Sequence, residues 1–134
     1  MNTEITIYLL EDNEDDVYLF KQIINTDDSC KYTTIVFDSV AGIERTLQNI
    51  IPDLLIVDLN IPESFGLQTL RDVKEVSQDI PIIVLTGSDE TLGLQAIQLG
   101  AQDYLLKGEI HPQALKEQLD LPESEAFCMQ HLKN

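Results

Sequence analysis

Four apolar runs in this chain end on residues that can do chemistry: YLL on Glu11-Asp12, LLIV on Asp58, IPIIVL on Thr86 and DYLL on Lys107. A hydrophobic strand that delivers Asp58 at its carboxyl end, then breaks at Pro62, is how an open α/β sheet presents an acid in a surface crevice. Converging carboxylates repel one another and raise their pKa values unless a cation joins them. Magnesium suits oxygen donors of this kind, with manganese as a substitute. Together these groups fit phosphoryl transfer. Asp58 is the candidate nucleophile, forming an aspartyl phosphate. The metal would be held mainly by Asp12 and Asp58, with Glu11 through water, and would offset charge on the transferring group. Lys107 offers a compact cation to one phosphoryl oxygen and Thr86 a hydroxyl to another. The loop after the first run is acidic and lacks glycine, which argues against cradling a nucleotide or flavin phosphate there.

Such residues need a scaffold that carries them to one edge, and the sequence alternates two periods to build it. Residues 4–10 have strand length. From Asn13, a candidate N-cap, Val17, Phe20 and Ile24 recur at helical spacing. Glu14, Asp15 and Asp16 are read as favouring that helix N-terminus, with no ligand role. Residues 33–37 form a second strand, and Ser39 caps a helix carrying Val40, Ile43, Leu47 and Ile50 until Pro52 stops it. Residues 54–57 are the third strand, and Leu67, Leu70, Val73 and Val76 mark the third helix. After Pro81, residues 82–85 are the fourth strand. Asp89 caps a helix with Leu92, Ala96 and Leu99 inward and Gly100 as its C′ residue. Residues 104–106 are the fifth strand, and His111-Pro112 opens a last helix with Leu115 and Leu119 facing inward. Continuously apolar strands alternating with helices predict an α/β, flavodoxin-like (βα)5 doubly wound parallel sheet of strand order 2-1-3-4-5. That order sets the ends of strands 1 and 3 side by side, with Glu11 and Asp12 next to Asp58.

With 134 residues and 43% apolar content, the chain is long enough for one domain with a real core. No apolar stretch approaches the roughly 20 residues of a membrane span, and the N-terminus lacks the basic region of a signal peptide. Cys30 and Cys128 form no CxxC and are read as a reduced thiol pair, which points to the cytoplasm. The net charge of −16, from 24 acids against 8 bases, argues against binding nucleic acid or an anionic membrane. Five of the six residues from Glu11 to Asp16 are acidic, which invites a divalent cation. His111 and His131 are read as surface residues, and Phe127, Met129 and Leu132 as a packed tail.

With LLEDNEDD, LLIVDLNIPESFG, IPIIVLTG and GAQDYLLKG in this order, the chain resembles a response-regulator receiver domain of two-component signalling. The resemblance covers about residues 4–121; it implies a receiver over 1–121, with 122–134 as a tail or the start of a linker. Pro62 and Gly66 also stand where the family places them. It implies transfer of a phosphoryl group to Asp58 from a histidine kinase or a histidine phosphotransfer protein, with the Asn60 backbone carbonyl completing the metal site. Thr86 and Tyr104 would be the switch pair, reporting on a helix 4–strand 5–helix 5 face. Asn60 and Ser88 would tune phosphoryl lifetime. The chain departs from the pattern at Gly87, where alanine is more frequent, and Pro122 cuts the last helix short. Such a domain is a phosphoacceptor that promotes its own phosphorylation and dephosphorylation rather than a turnover enzyme.

Two other readings compete with this one. A degenerate receiver acting only as a binding module is disfavoured, because every chemical position is filled. A haloacid-dehalogenase-like phosphatase would carry its nucleophile after the first strand with a second Asp two residues on; here that strand ends in Glu11-Asp12-Asn13. No output signature is read after residue 122, which leaves open a stand-alone receiver working by protein contacts or the N-terminal piece of a longer regulator.

Overall fold

The computed structural model describes residues 3–28, 30–61, 64–87 and 90–110. In chain order these form β1 (Thr3–Leu10), α1 (Glu14–Ile24), β2 (Cys30–Phe37), α2 (Val40–Thr46), β3 (Leu54–Asp58), β4 (Asn60–Ile61) and β5 (Ser64–Phe65). There follow α3 (Gly66–Ser77), β6 (Ile82–Thr86), α4 (Glu90–Gln98) and β7 (Asp103–Leu106), which runs into a single 3-10 turn at Lys107–Glu109. Five strands make one parallel sheet in the order β2-β1-β3-β6-β7. With the small antiparallel β4–β5 hairpin set aside, that is the expected 2-1-3-4-5. The chain reverses direction across the sheet between β1 and β3, where a doubly wound fold opens its crevice.

Burial follows from the pleat. Every residue of β3 and β6 is buried, and alternate side chains feed two cores. Tyr8, Leu10, Leu55, Val57, Ile82 and Val84 pack with Ile43 of α2, Leu70 and Val73 of α3, and Ala96 of α4. On the other face Ile7, Leu9, Leu54, Ile56, Ile83 and Leu85 meet Phe20 and Ile24 of α1. Each large side chain so buried stabilises the fold by about 1.5–3 kcal/mol. The Tyr8 and Phe37 rings lie 4.8 Å apart, tilted by 53°.

The caps behave as the residue types require. Asn13 accepts a hydrogen bond from the Asp16 N–H and Ser39 one from the Gly42 N–H. Gly100 has φ +111°, as a C′ glycine should. Three details depart from expectation. β2 begins at Cys30 rather than residue 33, because β1 pairs with it along all eight residues. α2 ends at Thr46; the chain then turns, so Ile50 is 43% exposed instead of lining the helix's inner face. Its carbonyl instead accepts the Tyr8 hydroxyl. Buried Cys30 is not the reduced thiol expected but is disulfide-bonded, since spacing along the chain says nothing of what the fold sets beside it. Pro62, Ser88, Asp89, the last helix, the tail, His111, Cys128 and His131 lie outside the described residues, so the expectations for them have no structural counterpart here. No described helix is long and apolar enough to cross a membrane.

Candidate functional site

Strand register brings the chemical residues to one edge. Leu10 of β1 is level with Val57 of β3, so Glu11 and Asp58 each follow by one residue. Asp58 is level with Leu85 of β6, and Thr86 with Leu106 of β7, after which comes Lys107. Glu11, Asp58 and Thr86 are all buried, whereas Asp12 is exposed. Oxygens of Glu11, Asp12 and Asp58 lie within 4.8 Å of one another.

Lys107 is the counterion. Its Nζ lies 2.8 Å from Asp16 Oδ2, 3.1 Å from Asp58 Oδ2 and 3.2 Å from Glu11 Oε1. It donates hydrogen bonds to Asp16 and Asp58. The Glu11 contact is an ion pair without hydrogen-bond alignment, leaving buried Glu11 Oε1 without a hydrogen-bond partner among the described residues. Burial alone would lower the lysine's pKa, but the Asp16 hydrogen bond, then Asp58 and Glu11, outweigh it and hold the ammonium well above its usual range. It stays charged at any physiological pH.

Asp16 is the correction here. Expected to act only electrostatically at the helix N-terminus, it does stand in the first turn of α1 but also makes the shortest contact to Lys107. Helical spacing carried the signal: Asp16 is one turn before buried Phe20 and starts the inward stripe of α1.

Glu11 is pushed up to about 7, first by burial and next by its hydrogen bond with Asp58 and the charge there; Lys107 and the Asn13 N–H oppose the shift. Between the ordinary glutamate value and about 7 the folded state therefore binds a proton that the unfolded state has released. Stability from this group falls as pH rises through that window and levels off above it. Without divalent cations, the urea midpoint is expected to fall from pH 5 to pH 7.5, and Glu11→Gln should remove part of that slope. Equal slopes in the two proteins would contradict the assignment.

The remaining residues fall on the same edge or just beneath it. Thr86 Oγ1 is buried without a hydrogen-bond partner among the described residues. Tyr104 on β7 is half-buried, its hydroxyl 3.5 Å from Glu90 Oε1 of α4. Its ring packs against Gly93, where an added Cβ would stand 2.4 Å from ring carbons. Sequence reasoning did not single out Gly93, whose role exists only once α4 packs on β7. The Asn60 backbone lies in β4, directly after the buried Leu59.

A family model described as the response regulator receiver domain matches residues 7–120. The chain is 31% identical to the nitrate/nitrite response regulator protein homolog of Haemophilus influenzae, over all of this chain and 64% of that protein. It is 38% identical to the transcriptional regulatory protein YdfI of Bacillus subtilis, over 65% of this chain and 40% of that protein. The chain thus spans less than two thirds of the length of these relatives. Among solved structures, the N-terminal signal receiver domain of a Bacteroides fragilis two-component response regulator superposes with a TM-score of 0.71. That match has 23% identity and covers 88% of this chain and 94% of the other. The receiver domain of the Pseudomonas aeruginosa sensor histidine kinase PA1611, solved with magnesium in its active-site cleft, superposes with a TM-score of 0.68. Its identity is 22%, covering 87% of this chain and 95% of the other.

Proposed function

Since the chain belongs to the response regulator receiver family of two-component systems, we propose that it accepts a phosphoryl group on Asp58 from a phosphohistidine and switches a protein-binding surface in response. The observation that carries this reading is the buried Asp58 carboxylate at the sheet edge, bonded to Lys107 at 3.1 Å and clustered with Glu11 and Asp12. A carboxylate oxygen of Asp58 attacks phosphorus, the phosphorus–nitrogen bond of the donor breaks, and the imidazole nitrogen keeps the electron pair. Lys107 turns its ammonium from the carboxylate to a phosphoryl oxygen, and the unpartnered Thr86 hydroxyl donates to another.

Glu11, Asp12, Asp58 and the Asn60 carbonyl would hold magnesium or manganese. The donors are all oxygen, and Glu11 Oε1, ion-paired with Lys107 but without a hydrogen-bond partner among the described residues, fits such a cation. When bound, the metal neutralises charge on the transferring group. The donor is a histidine kinase or a histidine phosphotransfer protein. Tyr18 and Leu19, 63% and 56% exposed on α1, offer it an apolar contact beside the site. The phosphoryl group adds about −1.5 to −2 charge. Thr86 moves to it and Tyr104 moves inward behind Thr86, changing the α4–β7 face. Asn60 and Ser88 tune how long the acyl phosphate lasts; unchanged decay in both alanine variants would remove them from that role.

Intact mass after incubation with magnesium and a small phosphodonor tests the central step. One phosphate adduct is expected on the wild type and none on Asp58→Asn. An adduct that persists in Asp58→Asn refutes the assignment, and sustained hydrolysis of a generic phosphomonoester would return the phosphatase reading.

A further inference from the structure

We propose that Asp16 is a positioning residue for Lys107, holding the ammonium in place while Asp58 is chemically occupied; this rests on the reading of Asp58 as phosphoacceptor. An ammonium has three donors, and here it faces three carboxylates: Asp16, Asp58 and Glu11. Asp58 gives up its bond to Lys107 when its oxygen becomes bonded to phosphorus. Glu11 lies in the acid cluster with Asp12 and Asp58, and its contact is not aligned as a hydrogen bond. Asp16 is outside that cluster and makes the shortest contact, so it is the acceptor that persists throughout the reaction.

Asp16 is itself well anchored. Its N–H is bonded to Asn13 Oδ1 at 3.0 Å, and Phe20, one turn further along, fixes α1 against the sheet. Lys107, by contrast, reaches the site on a flexible four-carbon stem. Beside it lies a cavity of about 210 Å³, bordered by Leu9, Asp16, Phe20, Leu85 and Ile110. Without Asp16 the ammonium has room to swing away from the phosphorus. The effect of Asp16 is therefore exerted through Lys107.

The test uses Asp16→Asn, which keeps the side chain's size and the backbone bond to Asn13, in wild-type and Lys107→Met backgrounds. With a small phosphodonor and saturating magnesium, Asp16→Asn is expected to slow phosphorylation about 3- to 10-fold, as loss of one positioning contact would. In the Lys107→Met background it is expected to change the rate less than about 2-fold, because paired residues are non-additive. Asp16→Glu should recover part of the loss. An unchanged or faster rate in Asp16→Asn, or equal slowing in both backgrounds, overturns the proposal. Nitrogen NMR of the lysine ammonium in the metal-free protein, without phosphodonor, gives a second reading. A restrained Lys107 signal, assigned with Lys107→Arg, is expected in the wild type and an averaged one in Asp16→Asn; equal mobility overturns the proposal. Failure of the wild type to take phosphate would strike the phosphoacceptor reading, while the NMR comparison would still judge the Asp16 contact.

Discussion

Lys107→Met is expected to destabilise the metal-free protein by about 2–3 kcal/mol at pH 8 and by much less at pH 5. Methionine keeps most of the stem, so the loss isolates the charge. Glu11 and Asp58 are both buried, and Lys107 is ion-paired with each. Breaking such a pair leaves uncompensated charge in a poorly hydrated site. The lysine's own partial exposure, and that of Asp16, keeps the cost below that of a fully buried pair. The pH dependence follows from Glu11. It already binds its proton up to about 7 with Lys107 opposing that shift, so removing the lysine raises it further. At pH 5 the protonated carboxyl no longer needs a counterion, and the deficit shrinks. Urea unfolding at the two pH values checks this; an equal loss at both would remove Glu11 as the source of the pH dependence. In the proposed reaction the same variant should slow phosphorylation by about 100-fold, the scale of losing one donor aimed at developing charge.

The second large effect is expected at Gly93. Placing a Cβ 2.4 Å from the Tyr104 Cγ and Cδ2 forces the ring or helix α4 to move. Overpacking of this kind costs about 1–3 kcal/mol, against a gain of about 1 kcal/mol from replacing helical glycine by alanine. Gly93→Ala is therefore expected to be neutral to destabilising in the wild type. In a Tyr104→Ala background the clash is gone and the helix gain remains, so the sign should reverse. Urea midpoints of the four proteins form the cycle, and additive effects would show that the ring does not rest on Gly93. For the proposed switch, alanine at 93 denies Tyr104 its place on α4 and should shift partner binding even in Asp58→Asn.

The strands were legible because β3 and β6, buried on both faces, have to be apolar throughout, and LLIV and IIVL state this directly. Asn13 and Ser39 announced their helices, since a capping side chain acts within three residues of itself. The site was legible for a related reason: its members follow strand ends, and parallel register alone puts those ends in a row. What escaped was what depends on a second element. The Asp16–Lys107 bond joins α1 to the end of β7, and Gly93 has meaning only against Tyr104. The end of α2 was misplaced because Ile50 keeps helical spacing while its carbonyl serves Tyr8 in a neighbouring strand.

Lys107 is bonded to residues 49 and 91 positions earlier in the chain. β1, α1 and β3 all precede it in the chain, so the acids are synthesised before their cation. Non-local contacts of this span close late. Lys107, directly after the last described strand of the sheet, thus supplies the charge that offsets these carboxylates, so the acidic edge is balanced only once β7 has joined β6. A fragment ending before β7 would carry Asp16 and Asp58 without the ammonium that donates to both.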